Sequence, residues 1–482
     1  MNTPVDRLPV VVVGAGPVGL AAAAHLLERG LEPLVLEAGD EVGAAVRQWH
    51  HVRLFSPWRY DVDAAAARLL APTGWQHPEP TGLPTGADLV EQYLEPLAAT
   101  GALAPRIRTG ARVVALSRVG LDKTHSLGRD DRPFLVRVRS TDEQGRTTVV
   151  DHHARAVIDA SGTWGQRNPL GVSGLPAPGE AEAAPFLAGP LPDVLGAERD
   201  RFAGRRVLVV GAGHSAANTL LNLARLADEE PATRVVWAVR GASVQRAFGG
   251  GDLDGLPARG ALGARLRDAV GSGRIELRTE VAISALEPHG DEVVVVAGTP
   301  AGERRLTVDV IAAATGFRPE LGMLRELRLD LDPGVEAPAR LAPVIDPELH
   351  SCGTVPPHGA DVLAHPETGF FIAGVKSYGR APTFLLATGY EQVRSVAAHL
   401  AGDSEAAADV QLDLPETGVC SSAAPAVTAG VDGGAGGAGG ACCGSSAPRP
   451  VTTGAPVGFP TGFAHGRSGE APAARRAGAS GC

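Results

Sequence analysis

A chain of 482 residues is too long for one ordinary hydrophobic core and long enough for two fused domains with irregular segments. Its 44 Lys and Arg against 54 Asp and Glu give a net charge of −10 with no basic block, which excludes nucleic acid as an expected partner. The apolar stretches fall well short of the roughly 20 residues of a membrane span. Met1–Pro9 also lacks the parts of a secretory signal, so a cytoplasmic protein that makes no use of the membrane is expected.

In chain order, Leu8–Val13 predicts an apolar strand that runs into Gly14-Ala15-Gly16-Pro17-Val18-Gly19. A helix follows over Leu20–Arg29, then a strand over Leu34–Leu36 that ends at Glu37. Phe134–Arg139 and Thr147–His152 read as strands about a turn at Glu143–Gly145, and Ala156–Asp159 as an apolar strand reaching Ser161 and Gly162. Leu170–Pro192, rich in Pro, Gly and Ala, suits a linker crossing between domains.

The same plan then recurs, which marks an internal repeat. Arg206–Val210 predicts a strand, Gly211-Ala212-Gly213-His214-Ser215-Ala216 the turn, and the helix continues to about Ala227 before a strand over Arg234–Val239. A β-rich stretch from Val281 to Val308 includes Val293–Val296 and Arg305–Val308, and Val310–Ala314 leads to Thr315-Gly316. Gly369–Gly374 reads as a last strand and Pro382–Leu400 as a last helix, which return to complete the first domain. From about Pro415 the composition collapses into Gly, Ala, Ser, Thr and Pro, which buries too little apolar area to offset ordering entropy. The expected fold class is α/β, with two Rossmann-like dinucleotide-binding domains, each carrying a β-meander. The first takes residues 1–170 and 317–405, the second 196–316, and a disordered tail 415–482.

A dinucleotide pyrophosphate needs close backbone approach and a helix N-terminus, which explains Gly14, Gly16 and Gly19 with Pro17 opening the helix. Glu37, ending the second strand, suits both ribose hydroxyls of FAD or NAD. The second motif has Gly211, Gly213 and Ala216, with His214 and Ser215 between them, and its second strand ends at Arg240. An arginine there suits a 2′-phosphate, so NADPH is expected over NADH; the alternative for Arg240 is a solvated surface charge.

GxGPxGL, a Glu ending the next strand, Ala-Ser-Gly, GxGHSAAN and Ala-Thr-Gly-Phe-Arg-Pro, in that order over roughly Leu8–Asp403, resemble the flavin-containing monooxygenase and thioredoxin-reductase-like superfamily. The resemblance implies FAD at the first Gly-rich site and NADPH at the second. Gly43, Arg47, Trp49 and the run Arg53–Trp58 resemble the stretch that passes near the flavin in bacterial flavin-dependent monooxygenases, and are similar to the branch associated with arsenic resistance. The resemblance extends the FAD site to Trp49, Gly162 and Gly374, and makes Trp49, Ser56 and Lys376 the flavin-proximal candidates. The superfamily's Gly-Asp is replaced by Gly374-Val375, so a carboxylate contact to the flavin's ribityl chain is missing at that position.

No Cys-x-x-Cys occurs, which argues against a disulfide reductase with its dithiol beside the flavin. Cys352 is either a flavin-proximal thiol or a small buried hydrophobe. Cys420, Cys442 and Cys443, with the terminal Cys482, are candidate ligands for trivalent arsenic in the tail, against an accidental set of thiols. His50 and His51 face either the flavin or backbone carbonyls, and no spacing suggests a metal site within the folded part. Trp49, Phe55 and Trp58 either shield the flavin from water or fill the core.

The function expected is that of an FAD- and NADPH-dependent monooxygenase oxygenating a soft nitrogen, sulfur or metalloid centre of a small-molecule substrate, with a homodimer as its assembly. The alternatives are an NADPH-dependent flavin reductase serving a small acceptor or partner, and a metalloid-binding protein with vestigial flavin domains.

Overall fold

A computed structural model describes residues 4–141, 144–251, 254–346, 355–381 and 384–412, all within the unit Met1–Ala423. The expectations placed on Glu143, Cys352, Pro382, Cys420, Cys442, Cys443, Cys482 and the tail lie outside the described residues.

Four consecutive valines, branched at Cβ and fully or nearly fully buried, make β1 (Val10–Val13). α1 (Pro17–Glu28) opens on Pro17, whose missing N–H is not needed in a first turn. β2 (Pro33–Leu36) returns parallel to β1, pairing Val10 with Pro33 and Val13 with Leu36. β3 (Ile107–Arg108) follows, then an antiparallel meander of β4 (Arg112–Arg118), β5 (Phe134–Thr141) and β6 (Thr147–Ala154). β7 (Ala156–Asp159) pairs parallel with β1 on the side away from β2.

The second domain begins with β8 (Leu187–Ala188) and β9 (Arg206–Val210), and α2 (His214–Glu229) leads to β10 (Arg234–Ala238). α3 (Pro257–Gly271) and β11 (Glu276–Arg278) precede a second antiparallel meander of β12 (Ala282–His289), β13 (Glu292–Thr299) and β14 (Gly302–Val308). β15 (Val310–Ala313) pairs parallel with β9. The chain then returns, placing β16 (Phe370–Ile372) parallel to β7 and α4 (Leu386–Leu400) against α1.

The two five-stranded sheets have orders β16-β7-β1-β2-β3 and β11-β10-β9-β15-β8, so each strand has a counterpart and the repeat is structural. Only the outermost strand beside β7 or β15 differs in origin: it arrives after the second domain in one sheet and before β9 in the other.

Alternation along each strand feeds two cores. Val10, Val12 and Ile158 face α1 and α4, while Val11, Val13 and Val157 face the first meander through Val113, Leu116 and Val136. In the second domain Val207, Val209 and Trp237 face α2, while Leu208, Val210 and Val236 face Ile283, Leu286 and Val295. Burying one such side chain contributes about 1.5–3 kcal/mol, so the helix–sheet–meander layering follows from this division of faces.

The domains are joined by two crossings that hydrogen-bond to each other. Asn168 N–H donates to Gly316 O at 3.0 Å and Arg318 N–H to Gln166 O at 3.0 Å. Among the described residues no helix is long and apolar enough to cross a membrane.

Candidate functional site

The two Gly-rich turns sit at matching places, between β1 and α1 and between β9 and α2. Gly14 has φ +99°, and a Cβ there would meet Ala160 O at 2.8 Å; Gly211 has φ +132°, and a Cβ would meet Ala314 O at 2.0 Å. Each first glycine is thus fixed by the neighbouring strand's exit. Gly16 and Gly213 behave oppositely, since a Cβ at either meets nothing within 4 Å. Both serve as N-caps with no side-chain hydrogen bond, so the first-turn N–H groups of α1 and α2 have no side-chain cap. Open space at an uncapped helix N-terminus fits a pyrophosphate.

The third positions differ in their packing. A Cβ on Gly19 would lie 2.0 Å from Gly14 O, whereas Ala216 is accommodated and fully buried. Ser215 is half-buried beside His214 at the start of α2.

Glu37 holds the first loop in shape. Its Oε2 accepts from Ala15 N–H at 2.6 Å and its Oε1 from Gly39 N–H at 2.8 Å. Each carboxylate oxygen keeps a further lone pair for a ribose hydroxyl. Arg240, two residues beyond β10, is exposed, and its guanidinium has no hydrogen-bond partner among the described residues. That suits a 2′-phosphate.

The segment from Trp49 to Trp58 reaches from the first domain to the second. Phe55 lies with its ring centroid 5.0 Å from that of His214. Burial pushes the His214 imidazole down to about 4, the Arg259 guanidinium adds to this, and Asp254 opposes it. His214 is therefore neutral at pH 7 and packs on an aromatic ring. Trp49 is half-buried against Gly86, where a Cβ would come within 2.9 Å of the indole, and Trp58 is core. Trp164, beyond Gly162, stacks on Phe317 of the second crossing at 5.0 Å and donates to Gln48 Oε1.

Ser56 and Lys376, expected beside the flavin, are both buried and both engaged. Ser56 Oγ donates to Asp61 Oδ1 at 2.7 Å. Asp61 is fully buried, its Oδ2 has no partner among the described residues, and desolvation pushes its pKa up to about 7 against the Ser56 hydrogen bond. The Tyr390 hydroxyl donates to Asp61 O and the Tyr93 hydroxyl accepts from Asp63 N–H, while Asp63 pairs with His25 at 2.9 Å. Lys376 Nζ lies 2.7 Å from Asp159 Oδ2 and 3.0 Å from Ser161 Oγ. Gly374, at φ +70°, packs on Val18 of α1 and donates its N–H to Gln392 Oε1, and Val375 stands 38% exposed, 3.8 Å from a Cβ built on Gly162. An aliphatic surface thus stands where the sequence reading expects the carboxylate contact to be missing.

Sequence reasoning missed Asp61 and Asp159. Neither stands in a motif, and each is recognised only by complete burial; a carboxylate closing an apolar strand, as Asp159 closes β7, was the available signal.

Residues 12–76 match the NAD(P)-binding Rossmann-like domain family. The chain is similar to ferredoxin–NADP reductase 1 of Cupriavidus necator, at 27% identity over 335 residues, 69% of this chain and 77% of that relative. Among solved structures it is similar to bacillithiol disulfide reductase Bdr from Bacillus cereus, with 18% identity and a TM-score of 0.59 over 82% of this chain and 99% of that one. It is also similar to a mutant flavin monooxygenase from Stenotrophomonas maltophilia, with 23% identity and a TM-score of 0.52 over 82% of this chain and 98% of that one. The chain therefore carries an NAD(P)-binding Rossmann-like domain within the two-domain fold that these monooxygenase and disulfide-reductase structures share.

Proposed function

We propose that the chain is an FAD- and NADPH-dependent oxidoreductase that works as a monooxygenase on a soft nitrogen, sulfur or metalloid centre. The observation that carries the reading is the matched pair of open, uncapped loops at Gly16 and Gly213, one followed by an acidic residue and the other by an unpaired arginine. FAD, when bound, supplies the hydride and oxygen chemistry. The protein binds and orients. The open space at Gly16 and the first turn of α1 receive one pyrophosphate while Glu37 takes the ribose; the open space at Gly213 receives the other while Arg240 takes the 2′-phosphate. Phe55 packs on His214 beside the second loop, an aromatic contact of the kind that helps keep water from a flavin reacting with oxygen.

The balanced reaction consumes NADPH, a proton, O₂ and substrate, and yields NADP⁺, water and the oxygenated substrate. The absence of any Cys-x-x-Cys supports oxygen transfer over dithiol exchange. The similarity of the flavin-side segments to arsenic-linked monooxygenases makes trivalent arsenicals the first metalloid to test. A second reading, a reductase delivering electrons to an acceptor, is favoured by the likeness to ferredoxin–NADP reductase 1.

Anaerobic NADPH titration followed by visible absorbance tests the shared half of both readings: bleaching of a flavin spectrum supports it, and a colourless protein that stays so with added FAD ends it. Admission of ¹⁸O₂ with candidate substrates then separates them. Label in the product supports the monooxygenase, and electron transfer to an acceptor without label supports the reductase.

A further inference from the structure

Three potential metal ligands converge where the two domains meet, from positions far apart in sequence. One nitrogen of His50, one of His51 and a carboxylate oxygen of Asp193 all lie within 4.8 Å of one another. His50 and His51 follow the short helix Ala44–Arg47 of the first domain. Asp193 immediately precedes Val194, which is buried in the core of the second. We infer that His50, His51 and Asp193 form a site for a divalent transition-metal ion of zinc's class that ties the two domains together.

The donor set matches that chemistry. Imidazole with carboxylate suits borderline ions such as Zn²⁺ and offers too few oxygens for Ca²⁺ or Mg²⁺. The His50 ring is prepared in the manner of a metal-bound histidine, in which one nitrogen is held by the protein and the other is left for the ion. His50 Nδ1 is within 3.1 Å of Arg47 O, which fixes that nitrogen as the donor and leaves the Nε2 lone pair. His51 Nδ1 is buried with no hydrogen-bond partner among the described residues, an orphan that a metal would satisfy.

Asp193 is held for the role. Its Oδ2 accepts from Ala197 N–H at 2.9 Å, and its backbone N–H donates to Glu198 Oε1. The carboxylate is therefore anchored by its own turn and, among the described residues, is not neutralised by an arginine or lysine. Ligand atoms of a tetrahedral zinc lie about 3.3 Å apart, given Zn–N bonds near 2.0–2.1 Å. The three donor atoms, within 4.8 Å of one another, are drawn to that spacing when the ion binds, with water completing the coordination. An ion held so spans both domains and stabilises their mutual placement in proportion to its occupancy.

The test is isothermal titration of ZnCl₂ into the full chain, its five cysteine thiols first blocked with iodoacetamide so that the count reports imidazole and carboxylate sites. One ion per chain is expected. His50→Gln and His51→Gln should each weaken it by roughly 10–100-fold or more, with Asp193→Asn as a third variant. His50 is exposed, so its variant folds whatever becomes of the others. Zinc should also raise the Tm of the wild type and not that of His50→Gln. Absence of stoichiometric binding, or equal affinity in wild type and His50→Gln, overturns the site. None of these readouts depends on FAD or NADPH.

Discussion

The Lys376 ammonium stands 2.7 Å from the Asp159 carboxylate with both side chains completely removed from solvent. The pair joins the end of β7 to the turn that follows β16, next to the first crossing. Asp159 Oδ1 also accepts from Ser161 N–H and Oγ, so the carboxylate organises the Ser161-Gly162 turn as well. Lys376→Met should leave a buried, unpaired charge and destabilise the protein by about 3–5 kcal/mol. Lys376→Met combined with Asp159→Asn should recover much of that loss. Urea denaturation of the three variants measures both; equal stability of the single and double variants would deny the coupling.

Gly16→Val should leave the empty protein folded, because φ at Gly16 is −79° and a Cβ there meets nothing within 4 Å. The same side chain occupies the space assigned to the pyrophosphate, so FAD retention should fall below detection. The ratio of flavin to protein absorbance after purification decides it, with circular dichroism as the control for folding.

Arg240→Ala should raise KM for NADPH roughly tenfold, the lower end of the about 1.5–3 kcal/mol of a charge-assisted hydrogen bond, because the residue is exposed. KM for NADH should stay unchanged. Steady-state kinetics with both cofactors gives the answer, and an unaltered preference between them would return Arg240 to the status of a surface charge.

Asp61 predicts a pH dependence of stability. Its folded pKa of about 7 lies above the ordinary carboxylate value, so the folded state keeps a proton that the unfolded chain has already released. The associated stability is fully present below about pH 4 and is lost at about 1.4 kcal/mol per pH unit as pH rises toward 7, levelling above it. Asp61→Asn, neutral throughout, should lack this component. Between pH 5 and 7.5 the Tm of the wild type should fall relative to that of Asp61→Asn; parallel curves would mean that the carboxyl titrates normally.

Much of the architecture was legible because both repeats announce themselves locally. A run of valines, a Gly-rich turn and an Ala/Leu-rich helix predict β1–α1 and β9–α2, and the hydrophobic faces behave as the alternation requires. β4 was missed for a specific reason: a bulge between Val113 and Ala115 shifts the register, so its apolar residues do not keep a period of two. α3 was missed because Gly260 and Gly263 argue against a helix, even though Pro257 stands at the first position, where it is tolerated. Its glycines answer to tertiary contacts, since a Cβ on Gly260 would strike Gly251 O and one on Gly263 would strike Phe248 O, both at 2.1 Å. Of the site, the loop glycines and Glu37 could be read from spacing, because backbone geometry dictates them. Asp61 and the meeting of His50, His51 and Asp193 could not, because burial and contact between distant segments define them.

The hydrogen bond between Asn168 and Gly316 gives the second domain an entrance and an exit at one point. All five strands of the first sheet lie outside the span 169–315, in β1, β2, β3, β7 and β16. The span is in that sense a cassette, and a short Gly-Ser splice from Asn168 to Gly316 bridges a distance that one hydrogen bond already spans. Excision would leave the host sheet with its full strand order and its own glycine-rich loop. It would also separate the two nucleotide sites into independently measurable proteins.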